Sequence, residues 1–255
     1  MLNNQVVVVT GGAGFVGKAF VEAIVKDGGI AIIADISFDK GKEAKASFAA
    51  ELQERVDVIE LDITNKDSIA KQIECLSQKY GHIDALVNNA YPRNKNYGRH
   101  FFDVEYEDFN ENVGLHLGGY FNASKYFAKY FVDQGHGNII NISSIYGLVA
   151  PRFNIYEGTK MTVPIEYAVI KSGLNHLTQY MAAYLKGKNI RVNTLTLGGI
   201  LDGQPESFLK KYADECLNKG MLNPYDVVGS LLYLLSDQSK YVNGQNIVVD
   251  DGFVL

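Results

Sequence analysis

Cysteine is nearly absent: Cys75 and Cys216 are the two in 255 residues. That leaves no disulfide framework and no paired spacing for a structural metal. Both fall in helix-like segments and read as reduced, mostly buried thiols. Runs of like charge are also missing. No five consecutive lysines or arginines occur, and the formal net charge is −5. Whole-protein attraction to nucleic acid or to an anionic membrane is thereby disfavoured. The apolar run Val6–Val9 is too short for a signal core or a membrane span, and Asp250–Leu255 carries no lipidation or retention signal. The expectation is a soluble cytoplasmic protein without internal repeats, low-complexity tracts or linkers.

What is present is ordinary globular composition, 47% hydrophobic and 21% charged, enough to bury one large core. Short β-branched runs alternate with stretches of helical spacing. Strands are predicted at Gln5–Thr10, Ile30–Asp35, Val56–Asp62, Ile83–Val87, Asn138–Ile142, Ile190–Leu197 and Gln245–Val249. Helices are predicted at Gly14–Asp27, Gly41–Arg55, Ser68–Tyr80, Phe109–Asp133, Pro164 to about Leu185, and Tyr225–Leu235. Strands that are apolar throughout and alternate with helices imply an α/β fold: a doubly wound parallel (Rossmann) sheet with helices on both faces. Residues 1–255 read as one such domain. The stretches 150–163 and 201–222 fit the alternation poorly and read as loops over the site.

Thr10-Gly11-Gly12-Ala13-Gly14-Phe15-Val16-Gly17 joins the first strand to the first helix. Glycines there let backbone approach a phosphate, and the helix N-terminus offers free N–H groups and positive dipole to a pyrophosphate. The flanking strand and helix make this a dinucleotide site rather than a chance glycine pattern. Asp35 ends the second strand eighteen residues after Gly17, placed to accept hydrogen bonds from adenosine ribose hydroxyls and to repel an extra phosphate. No lysine or arginine lies at 36–39. The cofactor expected is NAD rather than NADP. Asp62, at the end of the third strand, is a candidate for the adenine edge.

With these residues, Asn88-Asn89-Ala90, Ser143-Ser144-Ile145-Tyr146-Gly147, Tyr167-x-x-x-Lys171, Arg191-Val192-Asn193, Asn243-Gly244-Gln245 and Asp250-Asp251-Gly252 give a chain that resembles the short-chain dehydrogenase/reductase family over nearly its whole length. The resemblance implies a cofactor cradle of Gly11, Gly14, Phe15, Val16, Gly17, Asp35, Asp62, Ile63, Asn89, Ala90, Tyr167, Lys171, Gly198 and Ile200. It implies Tyr167 as general acid/base, Ser144 as the group orienting the substrate oxygen, and Lys171 holding the nicotinamide ribose. Chemistry agrees: a phenol with a pKa of roughly 10 is a poor base near neutrality, and a lysine one helical turn on favours its phenolate. Tyr156/Lys160 offers the same spacing twelve residues after Ser144. Pro164 would fall in the second turn of a helix carrying Tyr156, but suits the first turn of one carrying Tyr167. Tyr156 then belongs to an insertion over the site mouth, either loop packing or a substrate contact.

The sequence also departs from the family. His116 stands where the family has a relay asparagine, with Asn112 one turn earlier, and is either a relay group or a structural one. Tyr91 replaces the glycine after Asn-Asn-Ala, Leu197-Gly198 replaces Pro-Gly, and Asp202 falls near a hydroxyl residue's place. The insertion Pro151–Gly158 looks like that of members associated with bacterial surface-glycan and flagellin sugar synthesis, which implies a sugar or sugar phosphate substrate. Arg93, Lys95 and Arg99 are either a solvated loop face or a phosphate contact. The glycine spacing also resembles nucleotide-sugar epimerases and dehydratases with tightly bound NAD, though the residues after Leu197 leave no room for their extra substrate region. A non-enzymatic NAD-binding protein is the third reading. The family further implies a dimer or tetramer through the helices around Phe109–Asp133 and Pro164–Leu185, with Tyr120, Phe127, Tyr130 and Phe131 as candidate contacts against a purely internal role.

Overall fold

A computed structural model describes residues 1–255. β1 (Val6–Thr10) leads through the glycine turn into α1 (Phe15–Lys26); β2 (Ile30–Asp35) follows, then α2 (Phe38–Ala46) and the single turn α3 (Ala50–Gln53). β3 (Val56–Glu60), α4 (Lys66–Tyr80) and β4 (Ala85–Asn88) complete the first half. The second half runs α5 (Tyr106–Val113), α6 (Gly119–Gln134), β5 (Gly137–Ser144), α7 (Ile165–Tyr184) and β6 (Ile190–Leu197). It ends with α8 (Glu206–Asp214), α9 (Val228–Leu235) and β7 (Asn246–Val249). All seven strands are parallel, in the order β3-β2-β1-β4-β5-β6-β7. The order reverses between β1 and β4, and a crevice opens there beyond the carboxyl ends of the strands.

The doubly wound sheet expected from the sequence is therefore the sheet observed, and β1 shows why its strands lack polar alternation. Val6 and Val8 belong to one buried cluster, with Tyr120, Phe127 and Phe131 of α6 and Ile170 and Leu174 of α7. Val7 and Val9 belong to the other, with Phe20 and Ile24 of α1 and Leu231 and Leu234 of α9. Both faces are covered, so both sets of side chains must be apolar.

Several boundaries moved. Ser37 caps a helix that begins at Phe38, and the Ser47 hydroxyl turns back to the Ala44 carbonyl (2.7 Å), so Gly41–Arg55 is two short helices. β3 stops at Glu60, leaving Asp62 in the turn beyond it. Phe109–Asp133 is continuous helix but contains a π-helical segment, Gly114–Gly118, between α5 and α6. The stretch 201–222 is not merely loop. Pro205 precedes α8, which buries Phe208 and Tyr212 on one face. Both cysteines are free thiols as expected, but not mostly buried: Cys75 is exposed on α4, and Cys216, beyond α8, is half-buried against the small third cluster of apolar side chains. Tyr120, Phe127 and Phe131 are fully buried, so these three are internal core rather than an interface, while Tyr130 is half-buried beside them. No helix is long and apolar enough to cross a membrane.

A third, smaller core sits above the sheet. Tyr146, Ile155, Val163, Phe208, Tyr212 and Phe253 pack together there. Residues 150–163 and α8 are clasped further by Lys211, which donates to the Asn154 and Glu157 carbonyls (3.1 and 2.9 Å), and by an Arg152–Glu215 ion pair. Asp251 accepts the backbone N–H groups of Asn218, Lys219 and Gly220, pinning the chain beyond α8. Arg191, Asn193 and Asn243 are likewise structural. They bond the Ser236–Ser239 turn, the Val242 carbonyl and the Val192 N–H, fastening β6 beside β7.

Candidate active site

The glycine turn is locked to the end of β4. Thr10 Oγ1 accepts the N–H groups of Asn89 and Ala90 (3.0 and 3.1 Å), while Asn89 Nδ2 donates to the Thr10 and Gly11 carbonyls (3.0 and 3.1 Å). Gly11 has φ +62°, and a Cβ on Gly17 would lie 2.3 Å from the Gly11 carbonyl oxygen. No side chain caps α1, and its first turn holds no acid, so its free N–H groups remain for an anion. Asp35 Oδ1 accepts from Ser37 N (3.1 Å), and Oδ2 has no partner within the chain. Asp62 Oδ1 is engaged by the Thr64 N–H and hydroxyl.

These groups open onto one cleft of about 1110 Å³. Every expected cofactor residue lines it: Gly11, Gly14, Phe15, Val16 and Gly17 from the turn, Asp35, Asp62, Ile63, Asn89 and Ala90 from the next segments, and Tyr167, Lys171, Gly198 and Ile200 beyond. The cradle of glycines, the uncapped helix and the unpartnered carboxylate oxygen fit a dinucleotide. Lys40 of α2 lines the same cleft as well. It directly follows the cation-free stretch 36–39.

Ser144, Tyr156, Tyr167 and Lys171 share the other end of the cleft. α7 begins immediately after Pro164, whose carbonyl accepts from Tyr167 N (3.1 Å), so the proline limits the helix that carries Tyr167 and Lys171. That helix is seated tightly on the segment after β5. A Cβ on Gly147 would meet the Lys171 backbone at 2.6 Å, Ser143 Oγ donates to the Lys171 carbonyl, and Asn175 donates to the Gly147 carbonyl. The motif around Ser144 thus sets the distance between the serine and the tyrosine helix. Tyr156 ends a 3₁₀ turn, Phe153–Tyr156, and Lys160 is exposed outside the cleft. Tyr156 and Tyr146 share a hydroxyl–hydroxyl bond of 2.8 Å, and the Tyr156 ring packs on Phe208 at 5.0 Å, so Tyr156 serves loop packing while it lines the cleft.

Lys171 is buried, and its ammonium donates to the Ile142 carbonyl (2.8 Å) and lies 3.4 Å from His116 Nε2. Burial pushes Lys171 down to about 7. His116 is 1% exposed, on the π-helical segment, between the rings of Tyr91 (5.1 Å) and Tyr120 (5.0 Å). Burial first, and the Lys171 charge second, hold its imidazole well below the usual histidine range. It is therefore neutral, Nε2 accepting from Lys171, and Nδ1 has no partner. The expected lowering of Tyr167 by Lys171 is overridden. Burial raises the phenol, Tyr91 adds to this, and the Ser144 hydroxyl acts the other way. The Lys171 ammonium sits 5.6 Å from the Tyr167 ring centre but spends its hydrogen bonds elsewhere.

Sequence reasoning missed Phe208, Tyr212, Gln204 and Met221 on the cleft wall. Phe208 and Tyr212, one helical turn apart after Pro205, were the available signal for α8. Of the basic loop, Arg93 lines the cleft, Arg99 is paired with the buried Asp108 (3.2 Å), and Lys95 lies outside the lining.

Comparison with known proteins agrees with this geometry. A family model described as enoyl-(acyl carrier protein) reductase matches residues 12–254. A post-translational flagellin modification protein A from Campylobacter coli is 46% identical, covering all of both chains. A 3-oxoacyl-(acyl-carrier-protein) reductase from Thermotoga maritima is 33% identical across all of this chain and 99% of its own. The structure of a short chain dehydrogenase from Leptospira borgpetersenii with bound NAD+ superposes with TM-score 0.88 at 32% identity, covering 100% of this chain and 94% of that one. On the fold, the cleft and these matches together, the chain belongs to the short-chain dehydrogenase/reductase family of oxidoreductases.

Proposed function

We propose that the protein is an NAD(H)-dependent oxidoreductase that interconverts an alcohol and a carbonyl on a sugar or sugar phosphate. The observation that carries this reading is the convergence of Ser144, Tyr167 and Lys171 on the cleft that the glycine turn also lines. Bound nicotinamide supplies or accepts the hydride. In the reducing direction Tyr167 Oη gives its proton to the substrate oxygen as negative charge develops there, and Ser144 Oγ orients that oxygen. The Lys171 charge stabilises the phenolate left behind. His116 Nε2 and the Ile142 carbonyl hold the ammonium in place. Asp35, with one free oxygen, favours ribose hydroxyls over a phosphate and hence NAD over NADP. The sugar assignment rests on the resemblance of the Pro151–Gly158 insertion to family members associated with flagellin sugar synthesis, and the 46% identity to a flagellin modification protein accords with that resemblance.

Residues 150–163 and 201–222, clasped over the mouth, act as substrate loops of a single domain. The exposed Phe121 of α6 and Val169, Tyr180 and Tyr184 of α7 are the faces for a homodimer or tetramer, which light scattering would detect. The decisive experiment screens sugars, sugar phosphates and nucleotide sugars while following NADH absorbance. Net NADH formation or consumption supports the oxidoreductase. Product formation without net NADH change would replace it with an epimerase or dehydratase.

A further inference from the structure

Arg93 stands on the cleft wall in the loop between β4 and α5. Its guanidinium lies over the Tyr91 ring, 5.0 Å from the centroid, and Tyr91 packs edge-on against Tyr167 at 5.7 Å. A single aromatic ring therefore separates this cation from the proposed proton donor. Arg93 makes none of the chain's ion pairs. Asp202, after β6, also lines the cleft and is likewise outside these ion pairs.

The loop is also held in advance. Asn94 N donates to Asn112 Oδ1 (2.9 Å), and Asn94 Nδ2 donates to Asp108 and Glu111 (2.8 and 2.7 Å). Asn112 Nδ2 reaches Glu166 Oε1 (3.2 Å), at the start of the helix that carries Tyr167. The neighbouring Arg99 neutralises Asp108. Asp108 and Glu111 are engaged by Asn94, and Asp108 also by Arg99; Glu166 is buried with Oε1 on Asn112 and Oε2 unpartnered; none of the three pairs with Arg93. What remains is an exposed guanidinium over the Tyr91 ring, outside the chain's ion pairs and on the cleft wall beside the proposed proton donor. A planar fork of donors suits phosphate or carboxylate.

We propose that Arg93 anchors an anionic substituent, phosphate or carboxylate, of the compound whose alcohol or carbonyl meets Tyr167. This rests on the oxidoreductase reading and narrows its substrate to a negatively charged one. Its test uses the NAD-loaded protein and calorimetric titration with inorganic phosphate, glucose, glucose 6-phosphate and glucuronate. At least one anionic sugar is expected to bind about tenfold tighter than glucose. Arg93→Gln should erase that preference, Arg93→Lys should restore part of it, and NADH affinity should be the same in all three. Preference for glucose 6-phosphate and inorganic phosphate identifies a phosphate site; preference for glucuronate identifies a carboxylate site. Equal binding of charged and neutral probes, no binding of any anionic probe, or a preference that survives Arg93→Gln overturns the proposal. A matching loss of NADH affinity overturns it too, since Arg93 would then serve the cofactor. Anion preference without NADH turnover on any compound would leave Arg93 standing and sink the oxidoreductase reading.

Discussion

The two ends of the cleft are built from different materials. The dinucleotide end is backbone: glycines packed against carbonyls, an uncapped helix and a lone carboxylate. The substrate end is side chain: Tyr91, Tyr146, Tyr156, Phe208 and Tyr212 over a buried lysine and histidine, with a small core of their own. A backbone site tolerates almost no added atom, and here few side chains, Thr10 and Asn89, brace it. A side-chain site can change its ligand by substitution while the sheet below stays the same.

That contrast can be broken by mutation. The largest effect belongs to Tyr167→Phe, which removes the proposed proton donor without touching the glycine turn. Turnover should fall about a thousandfold while NADH affinity, read by fluorescence titration, stays within about twofold. Retention of full turnover would move the role to Tyr156 and undo the division. Gly17→Ala works at the other end. Its Cβ has no room beside the Gly11 carbonyl, and NADH binding should weaken about a hundredfold. Normal NADH affinity in this variant would mean that the turn is looser than its contacts imply.

Lys171→Met sharpens the comparison through stability. A lysine held near 7 when folded, against about 10.4 unfolded, binds fewer protons in the native state over the interval between. Stability therefore rises with pH across that interval, and the full cost of the buried charge is present below about pH 7. The variant should be more stable than the wild-type protein by about 1–4 kcal/mol at pH 6, with the gain shrinking toward pH 10, as urea unfolding would report. A pH-independent difference would show that lost packing, not charge, is being measured. The smallest effect is expected for Asp35→Ala, which should shift the NAD-to-NADP affinity ratio about tenfold toward NADP. An unchanged ratio would place the discrimination elsewhere, with Lys40 as the next group to replace.

The same division explains what could be read from the sequence. Strands buried on both faces and glycines beside a helix start leave local signatures, so the sheet and the dinucleotide end were legible. Tyr167 could be separated from Tyr156 because a proline constrains helix starts wherever it occurs. The substrate end depends on contacts distant in the chain. Phe208 and Tyr212 meet Tyr146 and Phe253 only after folding. The raised Tyr167 phenol was hidden for the same reason: sequence shows a charge one turn from a phenol but not the dryness around it. Two alternatives left open for the basic loop were divided, with Arg99 tied to Asp108 and Arg93 left facing the cleft.

The π-helical segment at Gly114–Gly118 has a consequence for phase. Such a segment is the imprint of one surplus residue in an α-helix, and each residue of an α-helix turns the chain by about 100°. α6 must aim Phe127 and Phe131 at the sheet, while α5 must aim Asn112 and Asp108 at the loop beside Glu166. An uninterrupted helix would carry both sets in one fixed phase. The surplus residue resets it. Deleting a single residue there would rotate α5 against α6, unfasten the Arg93 loop from its anchors and carry His116 away from Lys171, with every strand of the sheet left as it was.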